Sequence, residues 1–396
     1  MISLEEANDL ILSKVKNAEF EKININDALN RVLYEDIYST IDSPPFPRSP
    51  LDGYALRGED VINASEVNVN LKVIDKIFAG YTSDKYVKKG EAIRIMTGAP
   101  IPKGCNCIVR QEDTKERNGV VRIIKSHNPY DNYCYEGEDF KEGTKILGKN
   151  CVITSSEIMA IASIGKDSIK VYKKPIVGIL NTGDEIQNPG EDLLEGKIYN
   201  SNGYFLSSRV LELGCIPVVY NIICDDEGEI IKAISKLYDD CDLIISTGGV
   251  SVGEKDIVMK CAEKVGFNTL FWKVDIKPGS PMFAGEKCGK VYIGLSGTPV
   301  AAATTFELTA RKVISFMMNC PPIDVNKRIG ILADDFNKVT GKRRFLRVNI
   351  NNLNEVHINN VYQSPGQVHT MINSNGILEV PKNKALKKGD LVEVLV

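Results

Sequence analysis

From residue 175 to about 316 the chain repeats one rhythm: a short β-branched run, a loop bearing Gly or Asp, then an amphipathic helix. No other stretch restricts the fold as much. The runs fall at 176–180, 217–223, 243–246, 269–274 and 291–295, and helices are expected near 204–213, 227–237, 255–265 and 299–318. Strands that alternate with helices of about ten to fifteen residues predict a mostly parallel, open sheet covered on both faces. Ligands of such sheets bind outside the C-terminal ends of the strands, so the residues that follow each run are the ones to read for chemistry.

Those loops are rich in suitable groups. The first run leads into Asn181-Thr182-Gly183-Asp184-Glu185, the second into Asp225-Asp226, and the third into Thr247-Gly248-Gly249-Val250-Ser251-Val252-Gly253-Glu254-Lys255-Asp256. The fourth is followed by Asp275-Ile276-Lys277-Pro278-Gly279-Ser280-Pro281 and the fifth by Ser296-Gly297-Thr298-Pro299. Gly248, Gly249 and Gly253 let backbone N–H groups approach an anion, and a helix start adds its positive end, which together favour phosphate. Asp225 and Asp256 offer the hard oxygens that Mg²⁺ accepts beside phosphate and water. Lys273 and Lys277 supply point charges for an oxyanion. Taken singly, a Gly-Gly pair is a turn and an Asp at a strand end is a helix cap, as Asp226 and Glu254 are expected to be. Five successive loops of this kind predict a binding site.

The remaining sequence sets boundaries around this unit. Residues 3–40 read as helix, extended segment, helix, and the proline-rich 44–50 stretch ends that pattern. Short β-branched runs separated by Gly, Pro and Asn then predict a small β domain, and a helical pattern at 155–164 resembles the opening helices. The β segment is therefore expected as an insertion: 1–44 plus 145–174 form one discontinuous elongated domain, 45–144 a β domain, 175–320 the α/β domain and 321–396 a C-terminal β domain. A length of 396 residues agrees with three or four domains. The net charge of -3 argues against nucleic-acid binding. No basic leader precedes an apolar core, and no apolar run approaches the ~20 residues of a membrane span. A cytoplasmic protein without a membrane partner is expected. Of ten cysteines only Cys105 and Cys107 are a close pair, which leaves a zinc or redox site open there; most others sit in apolar runs as small hydrophobes. His127, His357 and His369 are scattered, and no acyl-transfer triad follows from their spacing.

In combination these motifs resemble the molybdopterin molybdenumtransferase family, which includes the bacterial MoeA proteins and the E domain of gephyrin. The resemblance runs over the whole chain. It rests on Ser49-Pro50-Leu51-Asp52-Gly53-Tyr54-Ala55, Ile95-Met96-Thr97-Gly98-Ala99, Gly137-Glu138-Asp139, Asn181-Thr182-Gly183-Asp184-Glu185, Ser246-Thr247-Gly248-Gly249-Val250-Ser251-Val252-Gly253, and Phe271-Trp272-Lys273 followed by Ile276-Lys277-Pro278-Gly279. It implies a transferase that inserts molybdate into adenylylated molybdopterin, releases AMP and depends on Mg²⁺ or another divalent cation. It also implies a four-domain chain with a barrel-like C-terminal domain, and a homodimer whose active site is shared between subunits, with an upstream molybdopterin adenylyltransferase as a partner.

The site residues implied are Asp52, Thr97, Glu185, Asp256, Lys273 and Lys277 for catalysis. Asp139, Thr182, Gly183, Gly248, Gly249, Ser251, Gly253, Pro278, Gly297 and Pro299 would bind the pterin substrate, and Asp225, Asp256 and Glu185 the metal. Three departures are visible. The family's Leu-Pro-Gly-Asn-Pro-Val is Leu295-Ser296-Gly297-Thr298-Pro299-Val300 here, its Arg-rich run before Gly-Glu-Asp is Tyr133-Cys134-Tyr135-Glu136, and Ser280 stands where many members carry Lys. Fewer cations near the pocket are expected from these changes. Two alternatives stay open on the same residues: a non-catalytic pterin-binding or scaffold paralogue, and an enzyme that prefers tungstate.

Overall fold

The computed structural model describes residues 1–16, 19–249, 257–359 and 363–396. The chain forms two compact units, one of Met1–Ile23, Ala28–Tyr34 and Lys170–Val396, the other of Asn24–Asp27 and Glu35–Ile169. Among the described residues no helix is long and apolar enough to cross a membrane.

The second unit is built on a six-stranded sheet, in the order Cys107–Arg110, Gly53–Leu56, Glu91–Ile95, Val69–Ile77, Val120–Ile123 and Thr114–Arg117. Side chains alternate across a strand. Tyr54 and Leu56 therefore join one apolar cluster with Leu71, Val109 and Val121, while Ala55 joins another with Ile77, Ile93 and Ile108. Helix Ser155–Ser163 opens with a capping box: the Ser156 amide donates to Thr154 Oγ1 at 3.3 Å and the Thr154 amide to Glu157 at 2.8 Å. The opening segment departs from expectation. Helix Leu4–Leu12 and strand Phe20–Asn24 form, but the second helix is only a 3₁₀ turn, Ile25–Asp27, followed by the two-residue strand Ile37–Tyr38. Asn24 Oδ1 takes the Asn26 amide at 2.9 Å and Asn30 adopts φ 61°, two local choices that end a helix before it propagates.

The first unit holds the α/β fold. Its elements are β1 (Ile176–Asn181), α1 (Asn202–Glu212), β2 (Ile216–Val219), α2 (Glu227–Asp240), β3 (Leu243–Thr247), α3 (Val258–Val265), β4 (Asn268–Trp272), β5 (Phe283–Lys287), β6 (Lys290–Leu295), α4 (Pro299–Thr305) and α5 (Arg311–Met317). The sheet order is β2-β1-β3-β6-β5-β4, and all pairings are parallel except those of β5. Leu180, Ile244 and Tyr292 pack with Ile230, Ile234 and Leu237 of α2 and Cys261 of α3. Ile179, Ile245 and Ile293 alternate with them and are equally buried, so both faces are covered. Asp226 caps α2, its Oδ1 accepting the Glu229 amide at 2.9 Å.

Two features differ from the sequence reading. Strand β5 was not expected: Cys288 (φ 50°) and Gly289 (φ 82°) make a two-residue hairpin with Lys287 opposite Lys290, a left-handed pair that Asn-Gly signals more often than Cys-Gly. The single helix expected over 299–318 is instead α4, a π-helical turn at Phe306–Ala310, and α5.

Beyond α5, the strands β7 (Lys327–Leu332), β8 (Arg343–Ile350), β9 (Glu355–Ile358), β10 (Gly376–Val380) and β11 (Leu391–Leu395) pair in the closed order β7-β11-β10-β8-β9-β7. Leu332, Phe336, Leu346, Val348, Leu378 and Val394 fill this barrel. The short strand Ile276–Lys277 adds to β8 in parallel, Lys277 opposite Arg344. The loop that follows β4 is thereby fixed to the barrel.

Candidate functional site

Strand order reverses between β2-β1 and β1-β3, which opens a crevice at the C-terminal ends of β1 and β3. A cavity of about 530 Å³ lies there, lined by Glu185, Gly248, Gly249, Lys277, Gly297 and Lys342 among others. Backbone bonds hold its floor: the Thr182 amide donates to Thr247 O at 3.1 Å and the Gly183 amide to Ile223 O at 3.1 Å. At Gly248 the backbone has φ 96° and a Cβ would stand 2.3 Å from Thr182 O, while at Gly249 (φ 61°) it would stand 2.5 Å from Val258 Cγ2. Only glycine fits this turn, and the turn leaves backbone open to a ligand. Thr182 Oγ1, beside the loop, is buried without a hydrogen-bond partner among the described residues.

The sequence-expected residues divide into groups. Glu185, Gly248, Gly249, Lys277, Pro278 and Gly297 line the cavity, and Pro299 is the first residue of α4 just past its rim. Thr182 and Gly183 carry the loop bonds above. Asp225 lies one step back, its amide donating to Asp184 Oδ1 at 3.0 Å. Lys273 is not among the residues that line the cavity, and its ammonium rests 3.9 Å from the centroid of the Trp272 ring in a cation–π contact. Ser251, Gly253 and Asp256 lie outside the described residues. In the other unit, Asp52 Oδ1 accepts the Thr97 amide at 2.7 Å and the Thr97 hydroxyl at 2.8 Å. These bonds, the backbone one first, hold the Asp52 carboxyl below its ordinary range. Asp139 is exposed, with its amide on Ser43 O at 2.9 Å.

Lys342 was not anticipated. It enters from the barrel at the start of β8, lines the cavity and places Nζ 3.3 Å from Ser280 Oγ. The cation that Ser280 lacks is thus present from another element. The basic run Lys342-Arg343-Arg344 was the available signal, and it stood in a domain read only as β structure. The altered rim is also self-consistent. Ser296 Oγ lies 3.1 Å from Thr298 Oγ1 and accepts the Thr298 amide at 3.4 Å, while Asn202 Nδ2 donates to Gly297 O at 2.8 Å. Among the described residues the lining carries two ammonium groups, Lys277 and Lys342, and one carboxylate, Glu185, which favours an anion.

An α/β unit with an anion-receptive crevice at its strand-order switch, joined to a closed β-barrel and accompanied by a separate β-rich unit, defines a class of multidomain protein built to bind an anionic ligand. Comparison with known proteins makes this specific. Residues 2–165 match the MoeA N-terminal region (domain I and II), 178–315 the probable molybdopterin binding domain, and 330–396 the MoeA C-terminal region (domain IV). Molybdopterin molybdenumtransferases of Staphylococcus epidermidis and Staphylococcus aureus are each 33% identical over 100% of this chain and 95% of their own length. A solved structure of the molybdopterin biosynthesis MoeA protein from Pyrococcus horikosii superposes with a TM-score of 0.89 at 30% identity, covering 100% of this chain and 99% of that one. The chain belongs to the MoeA family of molybdopterin molybdenumtransferases.

Proposed function

We propose that the protein inserts molybdate into adenylylated molybdopterin with release of AMP, acting as a homodimer with a divalent cation. The observation that carries this reading is the convergence of Glu185, the Gly248-Gly249 turn, Lys277 and Lys342 on one cavity at the ends of β1, β3 and β6. The turn suits a phosphate of the substrate, and the two ammonium groups suit a tetrahedral oxyanion.

Among the described residues no group of three or more His, Cys, Asp and Glu could hold a metal. Mg²⁺ keeps few protein ligands and completes its shell with substrate phosphate and water. Glu185 and Asp225 would hold it, with Asp256 the further carboxylate in the proposed set. When bound, such a cation neutralises charge on the phosphoanhydride and polarises it. Lys277 and Lys342 offset charge on the oxyanion, and Ser280 fixes the Lys342 ammonium. Asp52, Thr97 and Asp139 are proposed to act from the second subunit.

The test is AMP release by purified protein given adenylylated molybdopterin, molybdate and Mg²⁺. Glu185→Gln should retain the melting temperature and lose activity by about a hundredfold, the scale of removing one preorganised electrostatic group. Absence of AMP release by the wild-type protein with all three present would remove the proposal.

A further inference from the structure

In the β-rich unit, Asp52 and Thr97 sit at one end of the six-stranded sheet, and an aromatic turn lies beside them. Strand Val69–Ile77 runs parallel to Glu91–Ile95 with Ile77 opposite Ile95, and just past these paired ends the Met96 amide donates to Ile77 O at 3.0 Å. The chain then reverses. The Tyr81 amide donates to Phe78 O at 3.1 Å across Ala79 and Gly80, and Gly80 has φ 84°, the positive value that the third position of a type II turn requires. A Cβ on Gly98 would stand 3.7 Å from Ala79 Cβ, so the turn packs on the Thr97-Gly98 step.

Both corner residues of this turn are aromatic, and both rings are left to solvent: Phe78 is 50% exposed and Tyr81 70%. Covering an aromatic ring is among the larger gains open to a folding chain, and elsewhere this chain takes it. Tyr130 and Tyr135, about as exposed as Phe78, each pack on Tyr133, with ring centroids 5.4 and 4.9 Å apart. Phe78 and Tyr81 pack on no aromatic ring among the described residues. Lys76 Nζ stands 4.6 Å from the Phe78 centroid, and with half of its surface exposed the ring keeps a second face free. The first and last residues of such a turn have Cα atoms within about 7 Å of each other. A flat molecule with a ring on each face needs about 7 Å between those rings, twice the carbon–carbon contact distance.

We propose that Phe78 and Tyr81 hold the planar fused ring of the substrate between them, adenine or pterin. This rests on the reading that puts Asp52 and Thr97 in the substrate site. Stacking grips any flat heteroaromatic ring and leaves its edges and substituents free. The turn therefore positions the ring, and the packing of Ala79 on Gly98 ties that position to the Asp52–Thr97 pair.

Calorimetric titration of the full-length protein with AMP and with pterin tests this. At least one probe should saturate a site, and Phe78→Leu and Tyr81→Leu should each weaken it about tenfold, the scale of one lost stacking partner. The probe that weakens identifies the ring as adenine or as pterin. Phe78→Tyr should restore binding. Tyr86→Leu should bind as wild type does, since Tyr86, 63% exposed on the same loop, lies outside the turn. All three leucine variants should melt with the wild type, because the rings they remove are exposed. In the AMP-release assay Phe78→Leu should raise KM for the adenylylated pterin about tenfold and leave kcat unchanged, the mark of lost ground-state binding. The proposal is overturned if neither probe saturates, if either Phe78→Leu or Tyr81→Leu binds as wild type does, or if Tyr86→Leu loses as much as they do. A wild-type protein that releases no AMP, yet binds a probe through Phe78 and Tyr81, would keep the ring site and remove the activity reading. A protein that releases AMP with KM unmoved by either variant would remove the ring site alone.

Discussion

One oxygen of Asp52 receives both donors of Thr97, and this fixes how the pair responds to pH. A carboxyl whose folded pKa is depressed adds stability above its unfolded value of about 3.9, and the contribution is lost as pH falls through the lower folded value. The Thr97 amide resonance is therefore expected to stay constant from about pH 7 to about pH 4 and to move only below the ordinary aspartate range. In Asp52→Asn the same resonance should be independent of pH; a wild-type midpoint above about 4 would contradict the bonded geometry. Residue identities alone carried part of this site. Glu185, Gly248 and Lys277 were legible because each follows a strand end, where an α/β sheet places its ligands. Lys273 also follows a strand end, but its ammonium lies over the adjacent Trp272 ring and not in the cavity lining, a rotamer-level outcome with no trace in spacing. Lys342 immediately precedes β8 of the barrel and was invisible to a reading organised by the strand ends of the α/β sheet.

Between β3 and the crevice the Gly248-Gly249 turn combines two constraints that separate at the level of the element. Gly190 has φ 97° with nothing within 4 Å of an added Cβ, whereas Gly248 has φ 96° and meets Thr182 O at 2.3 Å. Gly190→Ala should cost about 1 kcal/mol from conformation alone. Gly248→Ala should cost about 3 kcal/mol or more, since the Thr182 carbonyl belongs to the strand-end backbone and cannot swing away. Urea midpoints of the two variants measure this directly, and equal shifts would mean that the turn relaxes. Element by element, the parallel strands were readable from β-branched runs followed by Gly or Asp. Strand β5 was not, because Phe283-Ala284-Gly285-Glu286-Lys287 contains no β-branched residue and stays in the sheet through its pairing with β6. The π turn at Phe306–Ala310 was equally hidden, since one inserted residue barely disturbs a helical period. It nonetheless sets where Glu307 meets Arg209 and Arg311.

At the scale of the whole molecule, closure of the C-terminal barrel depends on pairings such as Lys327 with Leu395 and Arg344 with Val380, which no local pattern reveals. The β-branched runs there showed only β structure; the barrel-like closure was expected from the family resemblance, and the pairings bear it out. The same scale governs the proposed homodimer. Asp52 and Glu185 belong to different compact units, and the proposal puts them in one site from two subunits. Hybrid dimers decide this by counting. If Asp52→Asn and Glu185→Gln each abolish activity, every site in either pure dimer carries one defect. In a hybrid with sites shared across subunits, one site carries both defects and the other carries none. Random subunit exchange makes about half of the dimers hybrid, so the mixture should recover roughly a quarter of wild-type AMP release. If instead each site draws both residues from a single chain, every site in the hybrid keeps one defect and nothing is recovered. Recovery on mixing, with both variants shown by light scattering to be dimers, would support the shared site; a mixture that stays inactive after demonstrated subunit exchange would place Asp52 and Glu185 in the same chain's site or exclude one of them from it.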